Sequence, residues 1–329
     1  AIIEQDTSNS FSFNGYFVHR YSDQISFGVG TYAPYHQKVE WPKGSLPTFI
    51  SRQSKLETRY ITPSLAYQLA PWISIGGGID IIRADAQYLR DFDFEDIAGV
   101  FPTTTVDVDG TEIGFNLGIL LETQYNWQFA STFKSQTDLN LEGDASTGNL
   151  TPPIQDLFVD GGASLDMALP WRFGFGVASL WDRWSFEGNV EFAGWGSLET
   201  IRVNYFEETD FLRDFNLPRN YDNTISIRFG TEYDYSDSWT FRGGYLYEGT
   251  PVPDNAVDPW FPDGSRNGIT LGATFHGQGW RADVGLMKQW LGKRNTPVIN
   301  VYIPPLNLSA AGEYAGSETV FSFGAGYSF

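Results

Sequence analysis

The sequence holds no cysteine, three histidines and two methionines in 329 residues. Without cysteine there is no disulfide framework, no thiolate metal site and no cysteine nucleophile. His19, His36 and His276 lie far apart, and none has a partner at metal-ligand spacing. No G-x-S-x-G stretch marks a serine nucleophile. The acids are numerous but scattered, as on any solvated acidic surface. The chain therefore reads as a non-enzyme that needs no cofactor. Basic residues are scarce, 21 against 40 acidic, and the net charge of −19 excludes nucleic acid as a partner. Long apolar runs are missing too: none approaches the roughly 18 residues of a membrane helix. That filter does not reach a membrane β-barrel, in which every second residue is polar.

What is abundant is aromatic residues, at 16%, and glycine, at 35 residues. The last ten residues, VFSFGAGYSF, place Phe321, Phe323, Ala325, Tyr327 and Phe329 on one parity and Ser322, Gly324, Gly326 and Ser328 on the other. Side chains alternate across a strand, so this segment has an aromatic face and a small, polar face. The alternation recurs. Ile113, Phe115, Leu117, Ile119 and Leu121 stand opposite Gly114, Asn116 and Gly118, and Ile225, Ile227, Phe229, Tyr233 and Tyr235 stand opposite Arg228, Glu232 and Asp234. Charges on one parity and a Tyr/Trp stripe on the other suit a polar lumen inside a lipid-facing wall.

Connections alternate between short and long. Tyr21–Asp23, Ala70–Pro71, Tyr125–Asn126, Asp182–Arg183, Ser236–Asp237 and His276–Gly279 are tight, whereas long loops are expected near 89–107, 144–157, 205–221, 250–266 and 291–312. Short turns on one side and long loops on the other are the asymmetry of a bacterial outer-membrane barrel. The fold expected is all-β: a single transmembrane antiparallel β-barrel over residues 1–329, of about 13 strands, in the outer membrane of a Gram-negative bacterium. Residues 158–181 are one strand bent at Pro170 if the alternation of connections holds, or two strands if Pro170 is a turn. Single-chain barrels of this kind close on an even number, so a first strand is expected upstream of Ala1 or supplied otherwise. No signal peptide stands at Ala1, which reads as a mature or trimmed start.

The stretch DSWTFRGGYLYEGTPVP at 237–253, following FGTEYDYS, resembles the FadL/TodX family of outer-membrane transporters of long-chain fatty acids and hydrocarbons, and GILLETQYNWQFASTFKSQTDLNLEGD at 118–144 is similar to that family's strand pair. The family's plug, with its Asn-Pro-Ala motif, and its first strand are not matched. The resemblance implies a 14-stranded barrel in the complete fold. It implies capture of a hydrophobic ligand on outer loops, an internal pocket, and sideways exit at a kinked strand. By position, the outer groove falls on Phe92, Phe94, Ile97, Val100, Phe101, Leu150, Ile154 and Leu157, with packing of the loops against each other as the other reading. The kink falls on residues 25–38 at Gly28, Gly30 and Pro34, read either as a lateral gate or as a bulge at the rim.

The family's carboxylate-holding basic residue is matched by Arg83 in IIRADA. Its parity is that of Ile79 and Ile81, so it faces the pocket only through a bulge or from a position above the membrane. Arg219 is the nearest match to a second basic residue, and Arg228 and Arg242 are inward by parity. Each arginine is equally read as one half of an ion pair, Arg242 with Glu232 for example. The partners implied are a fatty acid or other hydrophobic small molecule and outer-membrane lipid, with a protein partner or a separate N-terminal segment as further candidates. Two functions from other classes stay open: an open hydrophilic porin, and a docking component of a surface or secretion assembly.

Overall fold

The computed structural model describes residues 3–6, 10–296, 300–303, 306–309 and 311–329, with the backbone alone for 300–303 and 306–309. The chain starts with β1 (Gly15–Arg20), then β2 (Ile25–Tyr32) and β3 (His36–Glu40), which form one interrupted pass, and the long β4 (Gln53–Ala70), β5 (Ile73–Asp91) and β6 (Thr103–Glu122). Two bent passes follow, β7 with β8 (Trp127–Lys134, Thr137–Gly148) and β9 with β10 (Gly161–Leu169, Arg172–Trp181). Next come β11 with β12 (Trp184–Ala193, Thr200–Tyr205) and β13 with β14 (Phe215–Pro218, Thr224–Ser236). Then follow β15 (Trp239–Glu248), β16 (Arg266–His276) and β17 (Trp280–Thr296), the small β18–β19 hairpin (Asn300–Ile303, Leu306–Ser309) and β20 (Gly312–Tyr327). Among the described residues eighteen strands join in one sheet, every pairing antiparallel, with β18–β19 apart. Grouped by pass, the described strands cross thirteen times, as the alternation of connections implies.

Pro170 bends a pass without ending it. Leu169 pairs with Thr137 and Arg172 with Lys134, so one register runs through the bend. β20 pairs with β17 and β1 with β2, while the outer edges of β1 and β20 form no ladder among the described residues. The rings of Phe17 and Phe329 stack at 6.1 Å, which brings these two edge passes together at one end.

The wall faces lipid with its apolar parity. On β4 the outward residues are Ile61, Pro63, Leu65, Tyr67 and Leu69. Eight residue steps make roughly 27 Å of strand, enough at barrel tilt to cover most of an apolar band about 25 Å tall. The short-turn end carries a girdle of exposed aromatics, among them Trp72, Tyr125, Trp181, Trp184, Trp239 and Trp280. Their rings suit the boundary between lipid and water. The tight turns use residues that accept the left-handed region: Asn126 at φ 61°, Asp182 at 56° and Gly279 at 76°. No helix among the described residues is long and apolar enough to cross a membrane.

Beyond the lipid band the parity exchanges roles, and this inversion sets where the core lies. On β5, Ile79 and Ile81 are exposed and Asp80 faces in, whereas Ile82, Ala84, Ala86 and Tyr88 are buried and Arg83 and Asp85 face out. β6 does the same, with Val106 and Val108 turned in. Above the membrane the outer face meets water, so apolar residues belong inside, as in a soluble protein. The result is a hydrophobic core that fills the long-loop end of the barrel. The strands therefore run further than expected: only 92–102 remain between β5 and β6, with a single helical turn at Glu95–Ala98. Likewise 149–160 separate β8 from β9, and β13 lies inside the expected loop at 205–221. Of the expected loop at 291–312, residues 297–299, 304–305 and 310 lie outside those described.

Candidate functional site

Below the core, inside the membrane band, the inward parity is small and polar, and it leaves a cavity of about 570 Å³. Glycines create the space: Gly28 and Gly30 on β2, Gly76 on β5 and Gly118 on β6 all line it. The cavity lies against the wall formed by β1 and β2, with Pro34 at its rim. There the pass breaks. β2 pairs with β4 up to Tyr32–Tyr60, and β3 resumes at His36–Glu57, one residue out of step. Proline has no N–H to offer the ladder, and the break is bridged at Tyr35 and Thr58: the Thr58 N–H donates to the Tyr35 carbonyl at 2.8 Å, and the Tyr35 N–H donates to the Thr58 side-chain hydroxyl at 3.2 Å.

A charged cluster stands on the cavity wall. Lys134 ends β7 and turns its ammonium in, donating to the Tyr32 hydroxyl at 2.7 Å. It lies 4.7 Å from the Tyr32 ring centre and 4.5 Å from that of Tyr60, a cation–π arrangement. Asp80 Oδ2 is 3.6 Å away. Asp80 is buried, and its Oδ1 accepts from Thr62 at 2.6 Å and from the Asn116 amide at 2.9 Å. A buried carboxylate needs such donors together with a cation. A second group joins it: Arg172 lies over the Tyr35 ring at 5.3 Å, and Glu191 is shared by Arg172 at 3.6 Å and Arg228 at 3.8 Å. Lys134, Asp80 and Arg172 escape a reading of the sequence, although inward charge on a lipid-spanning strand is the signal that marks them.

The structure sorts the expected site residues. Gly28, Gly30 and Pro34 come together at the cavity. Arg83 does not: the β5–β6 register is unbroken from Ile73 to Asp91, so no bulge turns it inward. It faces out, 2.5 Å from Asp109. Arg228 and Arg242 face the lumen as parity implies, and both are ion-paired. Arg242 bonds Glu232 at 2.5 Å and also contacts the Thr274 hydroxyl.

The expected outer groove is instead a packed core. Phe92, Phe94 and Ile154 are 3%, 6% and 1% exposed. Phe92 meets Phe158 at 5.1 Å and Phe94 meets Phe211 at 5.2 Å. Val100, Leu150 and Leu157 pack against the same cluster, and Phe101 meets Phe49. Ile97 alone of the eight stands in solvent, at 66%. Side chains with almost no accessible surface cannot line an outer groove, and the inversion of parity explains why they are inside.

Arg219 belongs to this cap. Its guanidinium is 2% exposed, bonded to Asp258 at 2.7 Å and 5.7 Å from the Trp260 ring. Burial works against its charge, but the Asp258 carboxylate outweighs it and holds the arginine pKa above its usual value. Burial also pushes the neighbouring Tyr221 hydroxyl up to about 12. Arg219 Nε and Nη2 and Trp260 Nε1 are buried with no hydrogen-bond acceptor.

Residues 5–329 match the family model described as outer membrane protein transport protein (OMPP1/FadL/TodX). The chain belongs to this FadL/TodX family. Its members are transport proteins of the Gram-negative outer membrane, and this chain is one of their multi-pass barrels. It is 25% identical over 292 residues to the long-chain fatty acid transport protein of Salmonella typhi, an alignment that takes in 80% of this chain and 65% of that protein. The corresponding protein of Escherichia coli strain K12 is 24% identical over 301 residues, with 80% and 66% covered. The chain thus spans about two thirds of the length of these relatives.

Among solved structures, a Pseudomonas aeruginosa FadL homologue superposes with a TM-score of 0.84 over 95% of this chain and 77% of that one, at 22% identity. The toluene transporter TodX of P. putida gives 0.73 over 98% and 84%, at 15% identity. At these identities the superpositions speak for the fold alone, and they agree with the FadL/TodX barrel described above.

Proposed function

We propose that the chain carries hydrophobic small molecules, long-chain fatty acids or hydrocarbons, across the outer membrane by passive diffusion, and that they leave sideways through the barrel wall. The observation that carries this reading is the cavity of about 570 Å³ lying against the broken pass at Gly28, Gly30 and Pro34. Exit downward would take an acyl chain past the inward charges Arg242, Glu232 and Asp283 and then into water, at about 0.8 kcal/mol for each CH₂ exposed. Exit through the wall keeps it in an apolar medium. The family relationship supports the same cargo.

Arg219 supports a ligand with a carboxylate. Its two donors without an acceptor, beside the Trp260 indole N–H, are the hydrogen bonds an anionic headgroup would complete. The cap in which they sit would have to open for entry.

The test is flux into liposomes that contain the purified protein. A labelled long-chain fatty acid and a hydrocarbon are expected to enter faster than into protein-free vesicles, without steady ion conductance. Conductance without hydrophobic flux would overturn the reading in favour of an open pore. The exit is tested separately at Gly30, where an added Cβ would stand 3.0 Å from the Tyr16 ring. Gly30→Val pushes that ring towards the opening and is expected to slow release severalfold. Gly28→Val is the poorer probe, because its Cβ would stand 2.7 Å from the Phe17 carbonyl and wedge β1 from β2. Release at the normal rate through Gly30→Val would remove the lateral route.

A further inference from the structure

The outer face of β4, β5 and β6 changes chemistry row by row as the strands leave the membrane. Ile61, Ile81 and Ile113 are cross-strand neighbours and form the last apolar row. Two residues up, roughly 7 Å along the strands, the row is Arg59, Arg83 and Thr111. Two further residues up it is Glu57, Asp85, Asp109 and Glu142, all acidic. Arg59 and Arg83 are directly opposed across the β4–β5 ladder, and both are exposed. Like charges opposed in this way are unfavourable by themselves.

Their present contacts leave donors free. Arg59 gives one N–H to the Phe13 carbonyl at 3.2 Å, and Arg83 is paired with Asp109 at 2.5 Å and more loosely with Asp85 at 3.9 Å, whereas a guanidinium has five N–H donors. An anion between the two would relieve their repulsion, and its height is bounded on both sides. Lower, it would lie against the isoleucine row in lipid; higher, it would meet the acidic row. The layer between is that of the lipid headgroups, and a phosphate there matches the fork of each arginine.

We infer that Arg59 and Arg83 form a binding site on the outer wall for a phosphate of an outer-leaflet lipid, in this membrane the phosphorylated headgroup of lipopolysaccharide. This assigns Arg83 a role on the lipid side of the wall. The site depends on the height and register of these strands and not on the cargo carried inside, so it stands or falls separately from the uptake reading.

The test uses the full chain in detergent. Lipopolysaccharide is expected to raise the unfolding temperature of the wild type, and chemically dephosphorylated lipopolysaccharide to do so far less. Arg59→Gln with Arg83→Gln is expected to weaken lipopolysaccharide binding about thirtyfold, the order expected for two basic groups at an anionic surface. Both side chains are exposed, so the double variant should unfold at the wild-type temperature when no lipid is added. Equal binding by the double variant, or equal stabilisation by the dephosphorylated lipid, would overturn the assignment. Inorganic phosphate alone should give no shift; a shift as large as that from lipopolysaccharide would assign the pair to a soluble anion and overturn the lipid identity.

Discussion

Gly118→Trp is expected to abolish flux of hydrophobic cargo while the barrel still folds. Gly118 is on the inward parity of β6 and lines the cavity. An added Cβ would have no heavy atom nearer than the Ser131 carbonyl at 3.8 Å and the Thr132 methyl at 3.9 Å. The backbone has no need of glycine there, and the new ring projects into the cavity. The change therefore removes the path without removing a contact. Gly230→Trp is the matched control: it lies on the inward parity of β14, its added Cβ meets nothing within 4 Å, and it is not part of the cavity lining. Flux measured in liposomes should fall to the protein-free level for Gly118→Trp and stay near wild type for Gly230→Trp. Wild-type flux through Gly118→Trp would mean that the cavity is not the route.

Arg219→Met should destabilise the cap by about 3–5 kcal/mol, because it leaves the Asp258 carboxylate buried without its cation. Asp258 Oδ1 keeps its bond from the Trp260 backbone N–H at 2.9 Å, but Oδ2 loses the guanidinium at 2.7 Å. The loss should extend to the rings stacked there, since Trp260 meets Tyr88 at 4.2 Å and Phe215 at 6.3 Å. Hydrogen exchange should rise in residues 198–221 and change little in the membrane-spanning strands, which the cap does not hold. Arg219→Met with Asp258→Leu removes both charges and should recover most of the loss. A single variant as protected as wild type would show that the pair contributes nothing to holding the cap shut.

Several elements were legible because strand geometry is local. Alternation at 113–121 and 225–235 identified the lipid-facing parity, and the tight turns at Tyr125–Asn126 and Asp182–Arg183 identified the short-loop side. The bend at Pro170 followed from counting passes, and the broken pass at Pro34 from the missing N–H. Arg83 shows the limit of a resemblance: its parity pointed outward, the motif pointed inward, and the unbroken β5–β6 register decides for parity. Phe92, Phe94 and Ile154 show the limit of reading a loop by composition. Apolar residues among acids look alike whether they line a groove or fill a core, and only their neighbours, Phe158 and Phe211, distinguish the two. Lys134 and Asp80 are 54 positions apart in the chain and meet because β5, β6 and β7 are paired in register.

The sequence by itself determined an all-β chain that crosses the outer membrane about thirteen times, the face of the strands that meets lipid, and the pass that Pro34 interrupts. These follow from a two-residue period and from turn chemistry, which depend on near neighbours. The tertiary structure alone decided where each strand leaves the lipid. At that height the same parity exchanges its apolar and polar roles, Ile81 facing out and Ile82 facing in, because the medium outside changes from hydrocarbon to water. It also decided which inward charges meet across the lumen, since that depends on the register between passes far apart in the chain.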